Sequence, residues 1–348
     1  MAHAADARKG AGEIAHPMKF FSVFITRDIP DQGLRLLRKN RSLKVEVYEK
    51  DRAISRKELL KRVRGKDIIL SILTECLDAE VFDAAGPQLK MIANYAVGFD
   101  NIDIVEAKRR GIVVTNAAHP SVTESVAEHA IALMFALAHR IVETDQFTRD
   151  GKYRAWGPKL LLGTDIVGKT VGIIGTGAIG TSVVRRLHDG FGVNIVYSDI
   201  KRNKDLETNT GAKFLSKEVL LKTADFISLH VPLLPSTHHL IGAKELGMMK
   251  KSAFLINTSR GPIIDEVALI KALKKKQIAG AGLDVYECEP NVACSASDAT
   301  ALIHLQNVVL TPHTASATEE TRQAMSRTAA QNILAFVAGK KPPNAVKT

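Results

Sequence analysis

A glycine-rich turn near the middle of the chain has the spacing of a dinucleotide-binding site. Residues 171–180 read VGIIGTGAIG, so an apolar run leads directly into Gly175, Gly177 and Gly180, and a helical pattern follows. In such a turn the first glycine allows a tight bend, the second lets backbone N–H groups approach a pyrophosphate, and the third allows close helix–strand packing. The N-terminus of the helix then offers unpaired N–H groups and the positive end of its dipole to the phosphates.

A carboxylate follows this turn at the distance that ribose recognition requires. Residues 194–198 form an apolar run, and Asp199 comes directly after it, 19 residues beyond Gly180. A carboxylate in this place accepts hydrogen bonds from the ribose 2′-OH and repels a 2′-phosphate. The sequence therefore predicts NAD as the cofactor, with NADP less favoured. Lys201 and Arg202 lie close enough to soften that preference.

Four further side chains follow predicted strands of the same region: Arg260, Asp284, Glu289 and His313. Ligands of open α/β sheets bind outside the carboxyl ends of the strands, so these side chains can converge. Reduction of a 2-oxo acid needs a cation for the carboxylate, a proton donor for the carbonyl oxygen and a source of hydride. Arginine fits a carboxylate with two hydrogen bonds, and a histidine beside a carboxylate can deliver a proton near neutral pH.

The elements that must position these groups alternate between strands and helices, which is typical of parallel sheets with helices on both faces. Length favours two domains, since the chain has 348 residues. One alternating set runs from Phe20 to Thr115 and a second from Thr170 to about Thr311. Between them, residues 123–141 predict a largely apolar helix buried between the two units. Residues 317–338 predict a final helix that stops at Gly339.

Composition excludes several classes of protein. With 45% hydrophobic and 24% charged residues, the chain is globular rather than disordered. The net charge of +11 comes from basic residues scattered over helical patterns, and we expect no nucleic-acid partner. We find no apolar run near the ~20 residues of a membrane span, so no membrane partner is expected. No metal site is expected either.

The cysteines and the first residues favour a cytoplasmic location. Cys76, Cys288 and Cys294 cannot all pair with one another, and their spacing suggests no disulfide or zinc framework. This usage is typical of a reducing compartment. The first 17 residues lack the apolar core of a signal peptide, and we interpret residues 1–18 as a flexible extension.

Taken together, the motifs resemble the D-isomer-specific 2-hydroxyacid dehydrogenase family from Met18 to about Gly339. The segments that carry the resemblance are VGFDNID at 97–103, GTGAIG at 175–180, HVPL at 230–233, NTSRGP at 257–262, GLDV at 282–285 with Glu289 and Pro290, and Pro312 with His313.

The resemblance implies a catalytic triad of Arg260, Glu289 and His313. Glu287 is the competitor for the glutamate, and Glu289 is preferred because it directly precedes the proline. The substrate-binding residues implied are Val97, Gly98, Arg260 and His313, with backbone amides holding the substrate carboxylate. The cofactor-binding residues implied, besides the glycines and Asp199, are Val97, Ala178, Ile179, Val231, Thr258 and Asp284.

The resemblance also implies the architecture. A dinucleotide-binding domain of residues 119–314, with a Rossmann-like, doubly wound parallel sheet, is inserted into a flavodoxin-like substrate domain of residues 19–118 plus 315–348. A homodimer in contact through the dinucleotide domains is expected.

We favour a small 2-oxo acid, glyoxylate or hydroxypyruvate, as the substrate. Dehydrogenases of 3-phosphoglycerate, D-lactate or phosphite remain alternatives, as does an NAD(H)-binding corepressor that acts through protein contacts.

Overall fold

The computed structural model describes residues 20–289 and 301–347, and the predicted extension 1–18 lies outside them. Its first unit is a five-stranded parallel sheet in the order β2-β1-β3-β4-β5, the flavodoxin-like order. Alternate residues of β1 enter opposite cores, because Val23 and Ile25 pack on one face and Phe24 on the other. The elements are β1 (Phe21–Ile25), α1 (Asp31–Lys39), β2 (Leu43–Val47), α2 (Arg56–Arg62), β3 (Ile68–Ser71), α3 (Ala79–Ala85), β4 (Met91–Asn94), α4 (Ile104–Arg109) and β5 (Val113–Thr115).

Two helices connect the units, α5 (Pro120–Ala138) and α6 (Ile141–Arg149). The predicted helix 123–141 is wrong at both ends. The helix begins earlier because Pro120 occupies its first turn and the His119 side chain accepts a hydrogen bond from the backbone N–H of Ser121. It ends at Ala138 because Arg140 adopts a left-handed conformation with φ 54°, after which the chain starts a new helix.

The second unit is a seven-stranded parallel sheet in the order β12-β11-β10-β9-β6-β7-β8. Counted from its own first strand, this is the doubly wound Rossmann order. The elements are β6 (Thr170–Ile174), α7 (Ala178–Phe191), β7 (Asn194–Ser198), α8 (Lys204–Thr210), β8 (Lys213–Phe214), α9 (Lys217–Thr223), β9 (Phe226–Leu229), α10 (Ala243–Met248), β10 (Phe254–Asn257), the 3₁₀ turn Gly261–Ile263, α11 (Glu266–Lys274), β11 (Gly280–Leu283) and β12 (Val308–Leu310).

The chain then returns to the first unit through α12 (Glu319–Val337), which packs against α1. The approach is close, since the backbone N–H of Gly33 donates to Ser326 Oγ at 3.0 Å. A Cβ on Gly33 would lie 2.3 Å from the Ser326 carbonyl oxygen. The molecule therefore has two doubly wound α/β units, with the second inserted into the first. The boundaries 118/119 and 314/315 stay a prediction.

Helix α5 is the one described helix that is long and apolar enough to cross a membrane by those two measures. The helix meets these measures by length and composition only, since Glu124, Glu128 and His129 interrupt its apolar residues. Half of its most apolar window is buried inside the protein. The helix packs against α7 and against strands β10, β11 and β12, and Ala130, Leu133 and Met134 belong to the core beneath the second sheet. Its apolar side chains therefore pack in the protein interior, as the largely apolar sequence of this helix predicts.

The two described cysteines differ in state. Cys76 is an exposed free thiol, whereas Cys288 is disulfide-bonded. The expectation that the cysteine spacing indicates no disulfide is therefore wrong for Cys288, because spacing along the chain does not reveal the path of the turn in which it lies. Cys294 lies outside the described residues.

Candidate active site

The carboxyl ends of four neighbouring strands bring the predicted side chains to one edge of the second sheet. The register pairs Asn257 with both Leu229 and Leu283, and Leu283 with Leu310. The segments that follow these strands therefore start side by side, as expected for ligand-binding loops of an open parallel sheet. Gly261 permits a further approach, since a Cβ there would lie 1.8 Å from the Tyr286 carbonyl oxygen. The Arg260 loop and the Glu289 loop are thus in direct contact.

The glycine turn has the packing that its spacing predicts. Gly175 has φ 93°, and a Cβ on it would meet the His230 carbonyl oxygen at 2.6 Å. A Cβ on Gly180 would lie 2.1 Å from the Gly175 carbonyl oxygen. Gly177 instead faces open space among the described residues. Two protein contacts therefore require glycine, and the third position leaves room for a ligand at the N-terminus of α7.

Cavities of about 360 and 510 Å³ flank this helix N-terminus, and both are lined by Gly177. Ala178, the first residue of α7, is exposed to the smaller one. Ile179 turns the other way and packs, partly buried, against the core of the first unit. The structure thus places Ala178 beside the smaller cavity and Ile179 at the contact between the two units.

Asp199 lies in the larger cavity and is tied to the glycine turn. Its Oδ2 accepts hydrogen bonds from the Thr176 backbone N–H at 2.6 Å and hydroxyl at 2.9 Å, and its Oδ1 accepts one from the Ile200 N–H at 2.7 Å. Partial burial acts to raise the pKa of Asp199, but these hydrogen bonds outweigh it and lower the pKa below its ordinary value. The group is therefore an anion that can accept further hydrogen bonds.

Arg260 lies directly over the predicted substrate loop of the first unit. Its Nε donates to Asp100 Oδ1 at 3.0 Å and its Nη1 to the Ser259 carbonyl at 2.8 Å. A Cβ on Gly98 would lie 1.9 Å from Arg260 Nη2, so the guanidinium lies directly against the Gly98 backbone. The carbonyl of Val97 accepts a hydrogen bond from Asn116 Nδ2 at 2.8 Å. Because a trans peptide holds its N–H opposite its carbonyl, the Gly98 N–H points away from Asn116.

The structure pairs His313 with Glu289 and not with Glu287. His313 Nδ1 lies 2.5 Å from Glu289 Oε2, and Glu289 Oε1 accepts a hydrogen bond from the Tyr286 N–H at 3.2 Å. Glu287 lies 2.6 Å from His239 Nε2 and accepts from the Glu266 N–H. A carboxylate on Nδ1 fixes the ring and leaves Nε2 as the nitrogen that can serve a ligand.

Asp284 is fully buried, and it organises the loop that carries His313. Its Oδ1 accepts from the Thr311 hydroxyl at 2.6 Å and the Thr314 N–H at 2.8 Å, and its Oδ2 accepts from the Ala315 N–H at 2.9 Å. Burial acts to raise the pKa of Asp284, while hydrogen bonds from His129, Thr311 and the loop amides lower it overall. The predicted direct contact of Asp284 with cofactor stays a prediction.

Thr258 and Val231 complete the predicted cofactor set. The Thr258 hydroxyl is buried and finds no hydrogen-bond partner among the described residues. Thr258 directly follows β10, at the same edge of the sheet as the glycine turn. A buried hydroxyl without a partner there suits a polar ligand, because buried polar groups are normally hydrogen-bonded. The Val231 side chain would lie 2.8 Å from a Cβ on Gly175. The open Gly177, the anionic Asp199 and the unpaired Thr258 hydroxyl together fit a dinucleotide.

A second histidine at this edge, His230, is kept neutral. Burial lowers the pKa of His230 to about 4, and its Nε2 lies 2.9 Å from Ser228 Oγ. It is therefore poorly suited to deliver a proton near neutral pH. Among the described residues, no group of three metal-ligating side chains is arranged to hold a metal ion.

Sequence reasoning missed three residues of the site as participants: Asp100, His129 and Thr311. Asp100 lies within the motif at 97–103, so the sequence singles out its segment, but it does not reveal the contact between Asp100 and Arg260. His129 lies on α5, where the apolar pattern indicated only burial. It contacts Thr311 Oγ1 at 2.9 Å, a pairing across 182 residues that local pattern does not reveal.

Comparison with known proteins also indicates a dinucleotide-binding protein. Residues 131–315 match the family model described as "D-isomer specific 2-hydroxyacid dehydrogenase, NAD binding domain". The chain is 47% identical over 326 residues to a glyoxylate reductase of Korarchaeum cryptofilum, covering 93% of this chain and 95% of that one. It is equally identical over 329 residues to a glyoxylate reductase of Thermococcus kodakarensis, with the same coverage. Its fold is similar to the crystal structure of the TT0316 protein from Thermus thermophilus, with TM-score 0.85, 41% identity and coverage of 94% and 100%.

Proposed function

Because the chain belongs to the D-isomer specific 2-hydroxyacid dehydrogenase family, we propose that it reduces glyoxylate, or a 2-oxo acid of similar size such as hydroxypyruvate, in an NAD-dependent reaction. The protein is thus an oxidoreductase of the CH–OH group that uses NAD. The single observation that carries the substrate class is the His313–Glu289 pair on the same sheet edge as Arg260, which lies over the Gly98 backbone.

The roles proposed for the triad follow from its hydrogen bonds. Arg260 binds the substrate carboxylate and carbonyl, helped by backbone N–H groups at Val97 and Gly98. His313 donates a proton from Nε2 to the carbonyl oxygen, because Glu289 occupies Nδ1. Glu289 stabilises the imidazolium and holds the ring in place. After the 2-hydroxy acid leaves, His313 takes a proton from water.

The residues proposed to hold NAD lie along the same edge. The N–H groups at the start of α7 hold the pyrophosphate, Asp199 accepts from the ribose hydroxyls, and Thr258 donates to or accepts from the nicotinamide end. Ala178 lines the smaller cavity beside this turn, and contacts of Ile179, Val231 and Asp284 with the cofactor are part of the proposal. When bound, NADH supplies the hydride that reaches the carbonyl carbon.

A homodimer is part of the proposal. Within the described part of the chain, no side chain of α6 is buried. The segment after it exposes large apolar side chains, with Trp156 79% and Leu162 64% exposed. An apolar surface of this kind, with interspersed charges of both signs, suits a second copy of the same chain.

A cytoplasmic location is likewise proposed, supported by the free thiol of Cys76; the disulfide at Cys288 is the observation against it.

The test is steady-state oxidation of NADH, with NADPH in parallel, against glyoxylate, hydroxypyruvate, 3-phosphohydroxypyruvate, pyruvate and a bulky aromatic 2-oxo acid. The ratio of kcat/KM values measures discrimination. We expect glyoxylate or hydroxypyruvate to have the highest kcat/KM, with NADH preferred. A higher value for 3-phosphohydroxypyruvate or pyruvate would refute the substrate assignment. If every acid is inert while NADH binds, phosphite oxidation and then a corepressor-like role replace the proposal.

A further inference from the structure

The loop that carries His313 has a conformation that its own sequence does not favour. His313 has φ 55°, in the left-handed region that non-glycine residues adopt rarely. Such a conformation costs free energy and persists where surrounding contacts over-determine it. The contacts that hold this residue therefore also determine where its imidazole lies.

Asp284 supplies most of those contacts. Its backbone carbonyl accepts a hydrogen bond from the His313 N–H at 2.8 Å. Its carboxylate accepts from the N–H groups of Thr314 and Ala315, which are the next two residues of the loop. One buried residue thus binds three consecutive backbone N–H groups. Any rotation of its carboxylate would release two of them.

His129 on α5 fixes the orientation of this carboxylate. Its Nε2 lies 2.9 Å from Thr311 Oγ1 and 3.5 Å from Asp284 Oδ1. The Thr311 hydroxyl has one proton, and at 2.6 Å from Asp284 Oδ1 it donates that proton to the carboxylate. It can only accept from His129, so Nε2 must carry the hydrogen. The donors form a chain from His129 through Thr311 to Asp284.

The same helix holds the loop at a second point. Ser125 lies one turn before His129 on α5, and its hydroxyl donates to the Ala315 carbonyl at 2.8 Å. Both side chains face the loop from the helix that connects the two units. The loop therefore takes its position from α5 as well as from the sheet.

We propose that His129 is a positioning residue for the proton donor His313, acting through Thr311 and Asp284 by a hydrogen bond from Nε2. This inference rests on the proposed role of His313. It assigns a part in placing the reacting imidazole to helix α5, from which His129 reaches Thr311 and Asp284.

The experiment compares three substitutions of His129. The Gln variant can place an amide N–H near the position of Nε2, the Asn variant is too short to do so, and the Leu variant has no donor. Thr311→Val is a second route that removes the acceptor hydroxyl while keeping the shape. His139→Leu is the matched control, because His139 is an exposed histidine at the end of the same helix. The readouts are kcat and KM, NADH affinity by fluorescence, and amide hydrogen exchange of residues 313–315.

We expect His129→Leu, His129→Asn and Thr311→Val to lower kcat by about 10- to 100-fold, because small misplacement of a reacting group has effects of that size. NADH affinity should stay within about threefold. His129→Gln should recover most of the loss, and exchange of the 313–315 amides should quicken in the Leu variant but not in the control.

The inference is overturned if the Leu and Val variants retain wild-type kcat, if the Gln variant is as slow as the Leu variant, or if amide exchange is unchanged. Failure of the proposed function has a different signature. The wild-type protein would then turn over no 2-oxo acid, and the amide exchange of the unliganded protein would still decide whether His129 holds the loop.

Discussion

Two glutamates separated by a single residue have different partners, and this difference decides which of them can affect the reaction. Glu289 turns toward His313, and Glu287 turns toward His239 and the N-terminus of α11. Both are partly exposed His–Glu pairs of similar length. Each carboxylate thus has one histidine partner and one backbone N–H donor, so the two pairs can be compared by the same substitution.

Replacement of Glu289 by Gln should lower kcat by about 100-fold or more, because the neutral amide no longer stabilises the imidazolium or fixes the ring. Glu287→Gln is the control, and a partly exposed pair of this kind should change kcat by less than about fivefold. Steady-state kinetics with the best 2-oxo acid measures both. Equal losses in the two variants would mean that Glu289 acts only by stabilising the turn at 286–289.

The ends of three neighbouring strands in the first unit are joined by a buried carboxylate and a side-chain amide. Glu75, 3% exposed, accepts hydrogen bonds from the Thr26 hydroxyl at 2.6 Å and the Ile72 N–H at 2.9 Å. Asn101 Nδ2 donates to the carbonyls of Ile72 and Glu75. These contacts tie the loops after β1, β3 and β4 together beneath the segment that carries Gly98.

Burial raises the pKa of Glu75 above its ordinary value of 4.5, and hydrogen bonds to the carboxylate reduce the shift only in part. The folded state then binds the proton more tightly than the unfolded state. The stability of the wild type relative to Glu75→Gln should therefore be highest below about pH 4.5 and fall as pH rises through the raised pKa.

Thermal unfolding of both proteins from pH 4 to 8 measures this difference, and we expect Tm of the wild type minus Tm of the variant to fall by a few degrees as pH rises. The exposed Glu49→Gln should show no such trend. A Tm difference that is flat or rises with pH would contradict the assignment.

The strands and helices of both units show how much of the fold the sequence predicts. Regular alternation located both sheets, because buried parallel strands are short apolar runs: the predicted sets from Phe20 to Thr115 and from Thr170 to about Thr311 match strands β1 to β5 and β6 to β12. Side-chain contacts between distant segments were out of reach: Arg260 meets Asp100 across 160 residues, and His129 meets Thr311 across 182. The end of α5 was also mispredicted, because the left-handed Arg140 breaks a helix without a glycine or proline to mark the position.

The two units meet at the candidate site. Arg260 of the second unit pairs with Asp100 of the first, and Ile179 packs against the core of the first unit. The proposed site draws residues from both units, so relative motion of the units would open or close it. Closure over a substrate would expel water and so strengthen the proposed interaction of Arg260 with a carboxylate.

The surface proposed to bind a second copy of the chain lies on α6 and the segment that follows it. If a second copy binds there, the mass in solution should be about twice the chain mass of 37.8 kDa. Trp156→Ser removes a large exposed aromatic side chain, a residue type that dominates interface energies, and should shift the equilibrium toward monomer at micromolar concentration.

Val105→Ser is the matched control, since Val105 is 82% exposed on α4 in the other unit. Light scattering after size-exclusion chromatography measures the mass of each protein. A monomeric wild type, or equal dissociation in both variants, would exclude this surface as the dimer interface, whereas a monomeric Trp156→Ser beside a dimeric Val105→Ser would place the partner chain on the 141–162 segment.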